Sequence, residues 1–165
     1  MGIPAQQSPC DMWVIQEIIH ETKPDFIIET GTYKGGGTLF LADALQDCNK
    51  SGKVITIDIK SQIEQASKLA LFRERVEFIE GDSVSERVIQ LIVDKIQNAR
   101  AMVMLDSDHH KKHVLKELKL YSQFVSPGCY LIVHDTELLP KNWTGGMSGF
   151  WACHISDGGM VCCQV

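Results

Sequence analysis

The sequence predicts an α/β fold with a doubly wound, mostly parallel sheet. Short runs of β-branched and other apolar residues alternate with stretches of helical periodicity, and nearly every apolar run stops at an acidic residue followed by a turn. Strands that alternate with helices build βαβ units, whose strands run parallel. A chain of 165 residues is long enough to bury one substantial core, so we expect a single domain over residues 1–165.

The elements follow one another with short connections. Residues 1–10 carry two prolines and predict an irregular lead-in, after which Asp11 fits the N-cap of a helix that ends near Thr22. Strands are predicted at 26–29, 54–59, 76–80, 101–105 and 129–133. The helices between them are predicted at 37–47, 62–71, 85–97 and 110–125.

The tail, residues 137–165, is atypical for such a fold, and the C-terminal part of the fold is therefore shortened. Two apolar runs, 150–155 and 160–165, flank Asp157-Gly158, a pair that favours tight hairpin turns. One alternative is that a second subunit covers an exposed sheet edge, with Trp143 and Trp151 at a homo-oligomer interface. The other is that these aromatic residues form a local patch over the sheet.

Charge and composition exclude some functions. The net charge is −5 and no basic stripe is present, which argues against a nucleic-acid partner. No apolar run reaches the ~20 residues of a membrane span, and the N-terminus lacks a signal-peptide pattern. The six cysteines form no C-x-x-C pair, so we expect reduced thiols and a cytoplasmic protein.

A glycine-rich loop follows the first strand and opens the next helix. Tyr33 breaks the G-x-G-x-x-G dinucleotide fingerprint, whereas Glu29, Gly31 and Gly35 fit the form E-x-G-x-x-x-G. That form resembles the first motif of class I S-adenosylmethionine (SAM) methyltransferases, which have a Rossmann-like sheet. SAM is a cationic ligand without phosphate, and a strand-end acid suits it. The predicted cofactor contacts in this loop are Glu29, Gly31, Thr32, Gly35 and Gly36.

Acids stand at or near the end of every predicted strand, and the carboxyl ends of parallel strands share one edge of the sheet, where ligands bind. Asp58 lies where an acid accepts ribose hydroxyl groups. Asp82 and Ser83 lie where adenine would be bound, or else cap the next helix. The five strand-end acids are Glu29, Asp58, Asp82, Asp106 and Asp135.

A second group of polar residues follows strands four and five. Carboxylate oxygens suit Mg²⁺, and a divalent cation can lower the pKa of a substrate hydroxyl. The group consists of Asp106, Asp108, His134 and Asp135, and the predicted metal ligands within it are Asp106, His134 and Asp135. His109 and His134 are the predicted catalytic residues, because imidazole accepts protons near neutral pH.

The combination of motifs resembles the cephalosporin hydroxylase and rhamnosyl O-methyltransferase family over about residues 2–138. The resemblance is carried by Gly2-Ile3-Pro4, Gln7-Ser8-Pro9, Glu29-Thr30-Gly31-Thr32, Gly81-Asp82-Ser83, Leu105-Asp106-Ser107-Asp108-His109 and Val133-His134-Asp135-Thr136. It implies SAM as the cofactor, Mg²⁺ or another divalent cation at Asp106 and Asp135, and O-methyl transfer to a small hydroxylated acceptor such as a sugar or natural product. The family has an acid where this chain has His134, and imidazole suits softer metals.

Two alternatives to an active O-methyltransferase remain open from the residues. One is a SAM-binding or oligomerising protein with a degenerate catalytic site, which His134 and the short tail favour. The other is a different Rossmann-type enzyme that uses a nucleotide cofactor, such as NAD or a nucleotide sugar. The broken dinucleotide fingerprint counts against this second alternative.

Overall fold

A computed structural model describes residues 2–134, 151–156 and 159–164. The seven strands, in chain order, are β1 (Phe26–Thr30), β2 (Lys53–Asp58), β3 (Val76–Glu80), β4 (Ala101–Leu105), β5 (Tyr130–Val133), β6 (Trp151–Ser156) and β7 (Gly159–Gln164). The α-helices are α1 (Pro9–Thr22), α2 (Gly36–Cys48), α3 (Ala70–Arg75), α4 (Glu86–Ile96) and α5 (Lys111–Tyr121). The predicted doubly wound, mostly parallel α/β fold is confirmed.

The strands form one sheet in the order β3-β2-β1-β4-β5-β6-β7. The first five strands pair in parallel, and β6 and β7 join antiparallel at one end. The strand order reverses between β1 and β4, because the chain winds outward from β1 to β3 and then returns to β4. Ligands of open α/β sheets bind at such a switch point, beyond the carboxyl ends of the strands.

The centre of the sheet carries the core. All five residues of β4 are buried, and four of the five in β1 are buried. These strands are covered on both faces, which explains their nearly continuous apolar sequences. Each fully buried Ile, Val or Met contributes roughly 1.5–3 kcal/mol. The core therefore holds the strand ends, and the acids that follow them, in fixed positions.

The first helix begins earlier than the sequence indicated. Ser8 is the N-cap residue and Pro9 occupies the first turn, so the irregular lead-in ends at residue 8 and not at 10. Proline is favoured there because its missing N–H would have no helical partner. Asp11 is not the N-cap; it lies buried in the first turn.

The predicted helix at 62–71 is wrong in its bounds. The structure has a 3₁₀ turn at Ala66–Lys68 and then α3, separated by Leu69 with an extended backbone (ψ 139°). This break lets Ala66 and Phe72 pack together with Leu39 of α2 in a small second cluster. Tertiary packing has overridden the helical periodicity of the segment.

The tail contains an antiparallel strand pair, with β6 hydrogen-bonded to β5 on its other side. Its predicted turn, Asp157-Gly158, and residues 135–150 with Trp143 lie outside the described residues. Cys153 is disulfide-bonded, so the expectation of reduced thiols is wrong there; Cys10, Cys48 and Cys129 are free. Strand pairing explains the difference, since the position of Cys153 depends on the pairing of β6 with β5 and β7, which no local pattern sets.

Candidate functional site

A cleft of about 550 Å³ lies across the carboxyl ends of β1, β2, β3 and β4. Its walls come from the glycine-rich loop after β1, the turns after β2 and β3, the segment between β4 and α5, and the N-terminal lead-in. The predicted site residues that line it are Glu29, Gly31, Thr32, Gly36, Asp58, Asp82, Ser83, Asp106 and His109. The winding of the sheet thus brings together residues that are up to 80 positions apart in the chain.

Gly31 joins the two halves of this sheet edge. Its φ is +92°, and a Cβ atom there would lie 2.0 Å from the backbone oxygen of Asp106. Its N–H donates to the carbonyl oxygen of Ile57, at 2.8 Å. Glycine is therefore required both by the left-handed backbone and by the close approach of β4. Gly35 also has a positive φ, but it does not line the cleft. A Cβ atom at Gly35 would contact the side chains of Ala66 and Phe72.

Glu29 is a buried carboxyl group at the floor of the cleft. Its Oε2 accepts hydrogen bonds from the hydroxyl groups of Thr38 (2.5 Å) and Thr56 (2.6 Å). Burial raises the pKa of Glu29 to about 7; the two hydroxyl groups oppose the shift, and the negative charges of Asp106 and Asp58 add to it. A cation bound nearby would favour the ionised form, which makes Glu29 a receptor for positive charge.

Asp58 is held in a defined orientation at the end of β2. Its Oδ2 accepts from the backbone N–H of Tyr33 at 2.8 Å, and its Oδ1 accepts from that of Lys60 at 3.2 Å. Tyr33 reaches this position through a left-handed backbone, with φ of 49°. Two backbone donors hold the carboxylate in a fixed orientation, as a group that receives ribose hydroxyl groups must be.

Ser83 belongs to a network at the β3 end of the cleft. Its hydroxyl lies 3.2 Å from Nε2 of His113, and its carbonyl oxygen accepts from the Tyr121 hydroxyl at 2.8 Å. Glu117, which is 1% exposed, accepts from the Ser107 hydroxyl at 2.7 Å and lies 3.3 Å from His113 Nε2. The buried carboxylate therefore ties the turn after β4 to the turn after β3.

Asp82 is placed in the same turn, beside Ser83. Its Oδ1 accepts from the backbone N–H of Val84 at 3.1 Å, which shapes the turn. The N-cap of α4 is Ser85, whose hydroxyl accepts from the backbone N–H of Val88. The helix-capping alternative for Asp82 and Ser83 is therefore wrong, and both remain available to a ligand in the cleft.

The predicted metal and catalytic residues are only partly brought together. Asp106 and His109 line the cleft, but His134 is buried (4% exposed) and does not. Asp135 lies outside the described residues. Among residues 2–134 and the described part of the tail, no cluster of three His, Cys, Asp or Glu side chains could hold a metal ion. The described residues thus give an incomplete set of metal ligands.

The mouth of the cleft carries the remaining charges between β4 and α5. Asp108 accepts from the backbone N–H of His110 at 2.9 Å and pairs with its ring. Hydrogen bonding to the backbone and side chain of His110 holds the pKa of Asp108 below its usual range. His110 is exposed and is the N-cap residue of α5, whereas His109 faces the cleft.

The charge pattern of the lining is one-sided. Five acidic residues contribute to it, and no lysine or arginine does so among the described residues. Sites that bind phosphate groups supply cationic side chains or backbone N–H cradles. An acidic cleft with one glycine-rich loop is instead suited to a cationic ligand. The five acids are Glu29, Asp58, Asp82, Asp106 and Asp108.

Sequence reasoning missed several residues of the cleft. Gln7, in the lead-in, donates from Nε2 to Oδ2 of Asp106 at 3.0 Å across 99 positions of chain. His113, which the sequence pattern does not single out, contacts Ser83 and Glu117. Ile59 follows Asp58 and stays 75% exposed at the cleft. Of these three residues, only Ile59 could have been identified from the sequence, because it directly follows a strand-end acid. The contacts of Gln7 and His113 depend on elements that are distant in the chain.

The chain matches a family model and a curated relative over most of its length. Residues 1–146 match the family model described as "Rhamnosyl O-methyltransferase/CmcI". The chain is 33% identical over 141 residues to the rhamnosyl O-methyltransferase of Mycobacterium tuberculosis (strain H37Rv), an alignment that covers 84% of this chain and 56% of the relative. The chain thus spans little more than half the length of that relative.

Solved structures show the same fold. An O-methyltransferase from Bacillus cereus in complex with SAH superposes with a TM-score of 0.66 at 18% identity, covering 97% of this chain and 81% of that one. A structure of CmcI with Mg and SAM gives a TM-score of 0.60 at 18% identity, covering 82% and 56%. These likenesses confirm the Rossmann-like methyltransferase fold.

Proposed function

This chain belongs to the rhamnosyl O-methyltransferase/CmcI family, and on that premise we propose that it is a SAM-dependent O-methyltransferase. The acceptor is a hydroxyl group of a small molecule, of the sugar or natural-product kind. The observation that carries the proposal is the acidic cleft at the switch point of the sheet, which has no cationic side chain among its described lining residues. A sulfonium and an α-ammonium group fit that charge, whereas a pyrophosphate does not.

The cleft residues at each strand end suit a different part of the cofactor. Asp82 and Ser83 at β3 suit the adenine, and Asp58 at β2 suits the ribose hydroxyl groups. Gly31 lines the cleft at β1, and Glu29 and Asp106 supply negative charge near the sulfonium. When bound, SAM supplies an electrophilic methyl group that is transferred to an oxygen nucleophile.

His109 is the residue we propose as general base. It lines the cleft beside Asp106, at the side that a second substrate would enter. Its imidazole takes the proton of the acceptor hydroxyl as that oxygen forms its bond to the methyl carbon and the carbon–sulfur bond breaks. His134 is buried away from the cleft lining, which favours a structural role. The divalent cation, with Asp106 and Asp135 as ligands, stays a prediction.

Calorimetric titration with S-adenosylhomocysteine tests the cofactor. We expect micromolar binding that Asp58→Ala weakens about a hundredfold or more, since it removes a charged acceptor of two hydroxyl groups. Glu80→Ala is the matched control, because Glu80 is an exposed acid one residue from the cleft turn that does not line it. Tighter binding of NAD or a nucleotide sugar would favour the other Rossmann-type enzyme instead.

A SAM-binding protein without catalysis is the second candidate. The observation that favours it is the absence of His134 from the cleft lining. Methyl transfer to a panel of rhamnosides and other small alcohols, with Mg²⁺, Mn²⁺ or chelator, separates the two. Formation of S-adenosylhomocysteine that requires an acceptor supports the enzyme; binding without turnover on any acceptor supports the second candidate.

Location and assembly stay predictions. No helix in the described part of the chain is long and apolar enough to cross a membrane. The cytoplasmic location rests on the sequence, and the disulfide at Cys153 opposes it, because cytosolic thiols are normally kept reduced. Thiol titration of protein from its native compartment, and sedimentation for a homo-oligomer, would test them.

A further inference from the structure

The N-terminal strap, which we define as residues 4–7, lies across the start of α2 at the cleft. A Cβ atom at Gly36 would lie 2.2 Å from the carbonyl oxygen of Pro4, and one at Gly37 would lie 2.8 Å from Oε1 of Gln7. Ile3, just before the strap, packs against the cluster of Leu39 and Phe72. The strap is therefore fitted closely to the helix, and its side chains have defined positions.

Gln7 is the strap residue that reaches the opposite wall. Its amide nitrogen lies 3.0 Å from Oδ2 of Asp106. A carboxylate can only accept hydrogen bonds, so the nitrogen end of the amide must face Asp106. That orientation fixes the amide oxygen as well. Oε1 is buried and has no hydrogen-bond donor among the described residues.

A buried carbonyl oxygen without a donor is costly to leave unpaired, and such groups in native proteins usually serve a ligand or water. Oε1 lies beside Gly37, in the first turn of α2, and both residues line the cleft. The unused acceptor therefore belongs to a residue of the cleft lining and not to the core.

The strand order indicates which part of the ligand reaches Gln7. The adenine site at β3 and the ribose site at β2 lie on one side of β1 in the order β3-β2-β1-β4. The amino-acid end of the cofactor must then extend past β1 toward β4 and the start of α2. Its α-ammonium group carries three N–H donors and a positive charge, and the nearby groups are the Asp106 carboxylate and Gln7 Oε1.

We propose that Gln7 Oε1 accepts a hydrogen bond from the α-ammonium group of the cofactor, while Gln7 Nε2 positions Asp106. Gln7 thereby selects ligands that carry the amino-acid end over adenine thioethers that lack it. This inference rests on the proposed function and assigns a specificity-determining residue within the same site.

Two probes separate the amino-acid end from the rest of the ligand. S-adenosylhomocysteine and 5′-methylthioadenosine share adenine, ribose and thioether sulfur, but only the first has the α-ammonium group. We expect Gln7→Leu to weaken binding of S-adenosylhomocysteine about ten- to a hundredfold, the range for a hydrogen bond to a charged group. Binding of 5′-methylthioadenosine should change less than about twofold.

Gln90→Leu is the matched control. Gln90 also donates to an aspartate, Asp94, at 2.8 Å, but it lies on the exposed side of α4 away from the cleft. It should change neither affinity. Gln7→Met preserves the shape of the side chain and replaces Gln7→Leu if thermal melting shows that Leu prevents folding.

The outcomes are distinguishable. Unchanged binding of S-adenosylhomocysteine by Gln7→Leu and Gln7→Met overturns the inference and leaves the proposed function standing. An equal loss for both probes also overturns it, because Gln7 would then only shape the strap. If the unaltered protein binds neither probe, the proposed function fails and the inference fails with it.

Discussion

The two halves of the cleft differ in how they are built. At the ends of β1 and β2, the contacts of Glu29, Thr56 and Asp58 stay within one βαβ unit and join residues 9 to 27 positions apart. At the ends of β4 and β5, Asp106 is contacted by Gln7 from 99 positions away, and His134 is turned into the protein. The cofactor half is built within one βαβ unit, whereas the acceptor half is also contacted by the N-terminal lead-in.

This difference has a physical basis. A parallel strand followed by a glycine-rich turn must place its end residue and the next helix N-terminus together, whatever else the chain does. No such constraint sets the shape of the acceptor half, because that shape depends on which elements cross β4 and β5. We therefore expect substitutions in the cofactor half to act on folding and affinity. In the acceptor half we expect substitutions to act on turnover, except at Gln7 and Asp106, which we propose also contact the cofactor.

Gly31→Ala should have the largest effect, because it forces apart the two halves. Its Cβ would lie 2.0 Å from the Asp106 oxygen, and its φ of +92° strains any other residue. We expect a loss of stability of more than about 3 kcal/mol, measured by urea unfolding. Gly81→Ala should cost less, since its Cβ would meet the flexible end of Arg87 at 2.7 Å. Equal losses would contradict the close packing of the halves.

Glu29 should make stability depend on pH in the cofactor half. Its pKa is raised from 4.5 to about 7 in the folded protein. The fold thus favours the protonated form, and that stabilisation is complete below pH 4.5 and is lost as pH rises to about 7. We expect the unaltered protein to lose about 3 kcal/mol relative to Glu29→Gln over this range. Urea unfolding from pH 4 to 8 measures it; parallel pH profiles would contradict the raised pKa.

His109→Ala should separate turnover from binding in the acceptor half. We expect kcat to fall about a hundredfold, the usual lower range for a general base, with S-adenosylhomocysteine affinity unchanged. His134→Ala should lower stability, since it empties a buried position, and should affect kcat less. A larger loss of kcat in His134→Ala than in His109→Ala would reverse the roles that the structure favours.

Glu117→Gln should give the smallest effect. The amide keeps an acceptor for Ser107 but removes the charge that faces His113. We expect about 1 kcal/mol of destabilisation and a modest loss of cofactor affinity through Ser83. Glu86→Gln, an exposed acid at the start of α4, is the control. A loss of kcat without a change in affinity would place Glu117 in the acceptor half instead.

Most of the strands and the cofactor loop were predictable. The apolar runs of β1, β2 and β4 are so continuous that only a buried parallel sheet accommodates them, and the strand-end acids then share one edge. The helix at 62–71 failed because Leu69 is extended so that the segment can pack against α2. The expectation of a reduced thiol was wrong at Cys153. Whether two cysteines come together depends on strand pairing in the tail, which the local sequence does not reveal.

The sequence by itself determined the fold class, the position of the acids at the strand ends and the glycine-rich loop, since these follow from local periodicity and chain direction. Only the tertiary structure decided that Gln7 reaches Asp106, that His113 and Glu117 support Ser83, and that His134 faces inward. Those contacts join residues from 10 to 99 positions apart, at distances set by packing. Short-range pattern carries no information about such pairs, because many packings satisfy the same pattern.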